Sequence, residues 1–494
     1  MTVLAGMGRR AIGAAVSRAT LRTRSIAKAK RRLGALVAHR CRVLIAIPYL
    51  KSGGAELVAA NLTRALTHLY GPESVAIVVT DWSNLAVRIA FPENTFNNYP
   101  PEVRITNIVA LSRAPYDDRV WELMGAIMSM RPEMILNVNS QLMWEVFERF
   151  GPELSKSIRL GTVAFCHAAD KGGKPIGYTA THLERLLPYL NFVISDNQNY
   201  VSELTSTLAA APAVEKVPTQ REWLAAKTYL DKMDATKREN GDIARYLSGE
   251  REPSDAEWFA AGLLADNIAA NLSPNEAAKI LCLYQPTLLP PAKRKERQRS
   301  KRPQILWASR VSRAKFPEIL PRIARLLPDC DIHAYGAREF GYRFPAAKGL
   351  LFPHADLGDH IAKAPNLYWR GPYKSFGLLP VECFDAMLYT SLYDGLPNVL
   401  LEAGVHDVPI VAPLVGGIGE LISEETGWPV ANRYDVLEYA ERIREALASP
   451  VDAAHRALAL RHLIAKRHSF EGFCSAVRDL VEFDQRWQRL EAAE

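Results

Sequence analysis

The sequence predicts an α/β protein of two domains, each an open, doubly wound parallel sheet with helices on both faces. Three observations carry this. Short apolar, β-rich runs alternate with stretches of helical spacing, the pattern of strand–helix–strand units. The alternation breaks off and restarts across a basic, proline-bounded stretch. The chain of 494 residues is long enough for two or three domains.

VLIAIPYL (43–50) reads as the first strand, SGGAE as a glycine turn, and AELVAANLTRALTHL (55–69) as a helix. VAIVVT (75–80), MILNVNS (134–140), RLGTVAFCH (159–167) and NFVISDN (191–197) follow as strands. These runs are continuously apolar rather than alternating, as strands covered on both faces are. Between about 205 and 275 the strand signals stop, and the segment reads as a helical insertion, with REWLAAKTYLDKM and DAEWFAAGLLADNIAANL as its helical patches. KILCLYQPTLL (279–289) returns to strand character.

PAKRKERQRSKR (291–302) holds seven bases against one acid and reads as a solvated linker over 291–303. Beyond it ILWASR (305–310), DIHAYG (331–336), NLYWRG (366–371), AMLYTS (386–391) and PIVAPLVGG (409–417) supply strands, with PEILPRIARLLP a helix after the first. The expected divisions are a leader 1–42, a first domain 43–290, the linker, a second domain 304–470 and a C-terminal helix 471–494. Two such sheets would face a cleft, with ligands at the carboxyl ends of the strands.

The composition excludes several classes. Charged residues are 23% and hydrophobic residues 48%, an ordinary globular balance, and no run approaches a membrane span. Six scattered cysteines have no zinc or disulfide spacing, so free thiols in a reducing compartment are expected. The net charge is +7, but residues 1–42 hold eleven Arg and Lys and no acid; the remainder carries −4, the +7 total less those eleven. The leader has a thin apolar face at Leu4, Met7, Ala11 and Ala14. It reads either as an interfacial anchor on an anionic membrane surface or as a solvated basic arm. Without aromatics to stack bases it gives no support to nucleic-acid binding.

Three motifs stand at strand ends. Gly53 and Gly54 open the first helix, where backbone amides can approach a phosphate or merely turn the chain. They form neither a P-loop nor a GxGxxG fingerprint. ASRVSRAK (308–315) places Arg310 and Lys315 after the first strand of the second domain, as a diphosphate clamp or as two surface bases. LYDGLPNVLLEAG (392–404) sets Asp394 and Glu402 eight apart, around a helix start at Pro397-Asn398. By residues alone they are a catalytic pair, two arms for a ligand, or capping chemistry.

The second domain resembles the retaining glycosyltransferases of family four, which have the GT-B fold. The resemblance rests on ASRVSRAK, on YTSLYDGLPNVLLEAGVHDVPIVAP and on GGIGELISEETGWPV, with SGGAE similar to the family's N-terminal glycine loop. It covers most of 43–490 apart from the insertion. It implies transfer of a sugar from a nucleotide diphosphate sugar to a glycan or lipid-linked acceptor, with retention of configuration. It further implies a C-terminal helix that crosses back to the first domain. The charge of the basic leader, rather than the resemblance, suggests cytoplasmic or inner-face peripheral placement and a role in cell-surface polysaccharide or glycolipid synthesis. Gly53 and Gly54 would approach the donor. Arg310 and Lys315 would neutralise the departing diphosphate, Asp394 would contact the sugar and Glu402 the ribose. Leu396, Pro397 and Asn398 would line the phosphate and sugar edge. His167 would be the histidine after a first-domain strand. The departure from the family is Asp394, where glutamate is commoner.

No cofactor beyond the donor is expected, and no metal spacing exists among the eleven histidines. Asp329-Cys330-Asp331 spells a DxD but precedes a strand and reads as a turn. The alternatives are a nucleotide-sugar epimerase of the same fold or a catalytically silent membrane-associated scaffold.

Overall fold

The computed structural model describes residues 40–50, 53–80, 98–108, 116–166, 168–169, 175–177, 179–210, 279–287, 300–337 and 364–491. Residues 1–39 of the basic leader, 211–275 of the expected insertion, 291–299 of the linker and His167 lie outside them. The chain divides into two compact units. One is Met1–Ala164, Ile176–Ile194 and Leu208–Ile280; the other is Phe165–Pro175, Ser195–Thr207 and Leu281–Glu494.

The first sheet contains β1 (Val43–Ile47), β2 (Val75–Val79), β3 (Arg104–Asn107), β4 (Met134–Asn137), β5 (Arg159–Val163), β6 (Phe192–Ser195) and β7 (Lys279–Cys282), in the order β3-β2-β1-β4-β5-β6-β7. The registers from β3 through β6 are parallel; Val43 stands between Val75 and Met134. Every residue of β1, β2 and β4 is buried, which is why they read as unbroken apolar runs. β3, RITN, an edge strand with one buried residue, carries no such signal. Helix α1 (Gly54–Tyr70) follows β1, and α2 (Tyr116–Met130) precedes β4. Helix α3 (Gln141–Leu154) follows β4, capped by Ser140, whose Oγ accepts from the Met143 amide at 3.1 Å. Helix α4 (Gln198–Ala210) follows β6 and takes in the first residues of the expected insertion.

The second sheet contains β8 (Gln304–Ala308), β9 (Asp331–Tyr335), β10 (Leu367–Gly371), β11 (Ala386–Leu388), β12 (Ile410–Pro413) and β13 (Trp428–Val430), in the order β10-β9-β8-β11-β12-β13. All five pairings are parallel. Alternate residues point to opposite faces, and the core divides accordingly. Ile305, Trp307, Ala386, Leu388 and Val411 join one cluster, with Ile323 of α5 (Leu320–Leu326) and Tyr439 and Ile443 of α7 (Val436–Ala448). Leu306, Ala308, Met387, Ile410 and Ala412 join the other, with Leu400 of α6 (Asn398–Val405) and Leu460 and Ile464 of α8 (Pro450–Arg467). Both faces are thus covered, as in a doubly wound sheet. Helix α9 (Phe470–Glu491) ends the described chain.

Strand lengths are shorter than the apolar runs implied. β11 stops at Leu388 and β12 at Pro413, because the residues beyond bend into loops. Asp329 and Cys330 lie in a turn before β9. Asp331 opens β9 and accepts from Arg302, at the end of the basic stretch, at 3.1 Å. All six cysteines are free. No described helix is long and apolar enough to cross a membrane.

Candidate active site

The order of the second sheet reverses between β8 and β11, its first and fourth strands. Such a switch point leaves a crevice where the following loops part in opposite directions. The loop after β8 supplies Arg310 and Lys315; the loop after β11 supplies Asp394. The structure brings Lys315 and Asp394 into direct contact.

Lys315 is half-buried and sits in a short 3₁₀ turn, Arg313–Lys315. Its ammonium is paired with Asp394 Oδ2 and donates to the Tyr389 hydroxyl at 2.7 Å. Tyr389, fully buried, in turn donates to Asp394 Oδ2 at 2.5 Å. Burial first, and then the Asp394 charge, push the Tyr389 phenol well above its ordinary value, so it stays a donor. Ser391 Oγ approaches the same Oδ2 at 3.4 Å. All these bonds fall on Oδ2, which leaves Oδ1 able to accept. An ammonium has three N–H donors; with two spent on Asp394 and Tyr389, Lys315 keeps one for a further acceptor. The expected cation clamp and carboxylate grip are therefore one ion-paired unit rather than separate arms.

Arg310 is half-buried in the same loop, held on either side by the Ser309 amide to Tyr335 O (3.0 Å) and the Val311 amide to Ala337 O (2.8 Å). Phe316, next after Lys315, has a left-handed φ of 46°, uncommon for a bulky residue. Its ring meets Tyr434 edge-on at 5.8 Å.

Leu396 and Pro397 are buried and Asn398 half-buried at the start of α6; Pro397 is the cap and Asn398 the first helical residue. Helix starts leave amides unpaired and carry partial positive charge. Glu402 stands one turn in. It is half-buried, and burial pushes its carboxyl up to about 7. Tyr373, in the loop after β10, is close enough for the Glu402 charge to raise its phenol further.

The loop after β12 closes on this group. Gly416 has φ 55°, and a Cβ there would overlap the Asp394 carbonyl oxygen. The Gly417 amide donates to Gly395 O at 3.0 Å. Gly416→Ala is thus expected to be strained both in backbone and in contact, costing about 1–3 kcal/mol. A melting curve checks it: an unchanged Tm would contradict the close approach.

Gly53 is extended (φ −168°), and a Cβ on Gly54 would meet no described atom within 4 Å. Neither glycine is demanded by backbone strain. His167 lies outside the described residues. Sequence reasoning missed Tyr389, Tyr373 and Asp196. Tyr389 was read as strand, and Asp196 lies 200 residues from its partner, Leu396, whose amide donates to its Oδ2 at 3.3 Å. The signal for Asp196 was present, since an acid at a strand's carboxyl end is where such sheets bind ligands. Among the described residues no group of three or more His, Cys, Asp or Glu is placed to hold a metal ion.

Residues 379–449, which include Asp394, Glu402 and Gly416, match the family described as "Glycosyl transferases group 1". The chain is 26% identical over 161 residues to D-inositol 3-phosphate glycosyltransferase of Mycobacterium sp. (strain KMS). It is 25% identical over 158 residues to the protein so named in Mycolicibacterium smegmatis. These matches take in 32% and 31% of this chain and span about a third, 35%, of the length of those relatives. Among solved structures it is similar to sucrose-phosphate synthase from Thermosynechococcus elongatus, with TM-score 0.57 and 14% identity over 92% of this chain and 100% of that one. It is also similar to Anabaena HepE in complex with UDP and glucose, with TM-score 0.54 and 13% identity over 90% and 100%. S. aureus TarM in complex with fondaparinux, α-GlcNAc-glycerol and UDP gives 0.53 and 11% over 89% and 99%. The likeness bears out the fold expected from sequence, the two Rossmann-like parallel sheets of GT-B.

Proposed function

We propose that the chain is a glycosyltransferase that moves a sugar from a nucleotide diphosphate sugar to a hydroxyl of a glycan or lipid-linked acceptor, with retention of configuration. The observation that carries this reading is the Lys315–Asp394–Tyr389 unit at the switch point of the second sheet. In the reaction the bond from the anomeric carbon to the diphosphate breaks, the acceptor oxygen bonds to that carbon, and the acceptor proton passes to the leaving diphosphate.

Each residue has a part. The remaining donor of Lys315, with Arg310, meets negative charge as it gathers on the diphosphate. Asp394 Oδ1 accepts a hydroxyl of the transferred sugar; being one methylene shorter than glutamate, it is steadied at Oδ2 by its neighbours. Glu402 accepts the ribose hydroxyls. The α6 start at Leu396, Pro397 and Asn398 lines the phosphates. Gly53 and Gly54, at the head of α1, approach the donor sugar, and His167 serves at the reacting end. No metal or other cofactor is assigned; charge is met by Lys, Arg and helix amides. The family match over 379–449 supports the reaction class, as do neighbours whose titles name UDP, UDP-glucose and glycan ligands. The basic leader suits an anionic membrane surface, which would put the work at its cytoplasmic side, in polysaccharide or glycolipid synthesis.

Thermal melts with UDP-, GDP- and ADP-sugars test the donor class. A ligand of the native state raises Tm by mass action, about 2.7 kcal/mol at a hundredfold excess over Kd. One nucleotide should raise Tm and the others should not. No shift with any of them would overturn the reading.

A further inference from the structure

Four polar residues, Asp196-Asn197-Gln198-Asn199, follow β6 and open α4. Three of them bond to separate loops of the second unit. Asp196 is 7% exposed. Its Oδ2 accepts from the Leu396 amide at 3.3 Å and its Oδ1 from Asn197 Nδ2 at 2.8 Å. A Cβ on Gly395 would stand 2.8 Å from that Oδ1, so the loop after β11 lies against the carboxylate at glycine distance. Asn197 Nδ2 also donates to Phe165 O at 3.1 Å, two residues before His167. Asn197 Oδ1 accepts from the Tyr200 amide at 2.8 Å, capping α4. Asn199 donates from Nδ2 to Gly416 O at 3.0 Å and from its amide to Glu420 Oε1 at 2.7 Å. The helix start thus ties together Phe165, the loop bearing Asp394 and the Gly416–Glu420 turn.

We propose that Asp196 is a positioning residue of the transfer site: its carboxylate fixes the Gly395–Leu396 peptide, and with it the direction of the Asp394 side chain and the start of α6. This rests on the glycosyltransferase reading above. A neutral, apolar filler would serve packing at lower cost, since a carboxylate sealed from water is penalised. Burial first, with a contribution from Asp394, pushes Asp196 up to about 7. That penalty is tolerated where an acceptor is needed for the Leu396 amide, and no backbone carbonyl takes this place.

The test compares Asp196→Ala and Asp196→Asn in the full chain. Asparagine keeps one oxygen for the Leu396 amide; alanine removes it. Hydrogen exchange is followed on peptides spanning 392–400. Release of nucleoside diphosphate is followed with UDP-glucose, GDP-mannose and ADP-glucose in the presence of acceptor. In the alanine variant exchange should quicken at 392–400 and not in β1 or β2, and kcat should fall about 10²-fold while donor KM moves only a few-fold, as misplacement of reacting groups predicts. Asparagine should recover most of both. Exchange at 392–400 equal to that of the unaltered chain would overturn the positioning role whatever the activity. Faster exchange with unchanged kcat, or an asparagine variant as impaired as alanine, would overturn the link to transfer. If the unaltered chain releases no nucleoside diphosphate from any of the three, the glycosyltransferase reading and the link to transfer fall together, and the exchange measurement still decides the clamp.

Discussion

Replacing Lys315 by alanine is expected to lower kcat/KM by about 10²–10³-fold, the usual effect of deleting one group that meets developing negative charge. The same change should lower Tm. Lys315 and Asp394 have side chains each only 18% exposed, so the variant leaves a sheltered carboxylate with Tyr389 and Ser391 as its remaining donors. An acceptor deprived of its partner costs about 1–3 kcal/mol. The two losses have different causes and separate in the double variant Lys315→Ala/Asp394→Asn. Neutralising the orphaned acid should return most of the Tm, because Tyr389 can still donate to an amide oxygen. It should return none of the turnover, because neither the cation nor the carboxylate is restored. Product release and a melting curve on the three proteins decide the matter. A single variant that turns over like the unaltered chain would show that the pair is structural only.

The fold was legible because the central strands are buried on both faces and appear as continuous apolar runs bounded by Gly, Ser, Asn and Asp. An edge position or a short length weakens the signal. β3 is an edge strand with one buried residue, and β13, though buried, is three residues long; both were absent from the sequence reading. The candidate site residues were picked out by their position after strands. Their connections were not. That Lys315 and Asp394 share one charge-paired unit depends on β8 and β11 being neighbours, a fact of sheet order rather than spacing. Asp196 is tied to Leu396 across 200 positions, and only the folded chain brings them together. Gly416 could be read as a glycine in a turn. That the turn must lie on the Asp394 carbonyl needs its φ and its neighbour.

Glutamine at position 402 is expected to make the protein more stable and less able to bind its donor. Glu402 is half-buried on α6, no described side chain or amide donates to its carboxylate, and burial alone moves it from 4.5 to about 7. The sign follows from linkage. Between pH 4.5 and about 7 the folded chain holds a proton that the unfolded chain has released, so stability falls as pH rises through this window and levels off above it. At about 1.4 kcal/mol for each unit, the loss is on the order of 3 kcal/mol at pH 8. Glu402→Gln carries no such proton. Its Tm should match that of the unaltered chain near pH 4.5, draw ahead as pH rises, and stay several degrees higher at pH 8. Donor binding should move the other way. An ionised carboxylate accepting two ribose hydroxyls makes bonds of about 1.5–3 kcal/mol each, and the amide replaces one acceptor oxygen by a donor. Affinity for the nucleotide that shifts Tm should fall about 10–100-fold. In the unaltered chain it should improve as pH rises through 7, where the grip becomes charged; in the variant this pH dependence should be absent. Melts across pH 4.5–8 and calorimetric titration with the nucleoside diphosphate give both readings. A variant with no Tm advantage at pH 8 would mean that the carboxylate is not sheltered as the structure has it. A variant with the advantage and undiminished affinity would mean that the ribose is held elsewhere. The two effects together would make Glu402 a residue whose charge costs the empty fold stability and stabilises the bound donor, the trade-off expected where a site is held ready for a ligand.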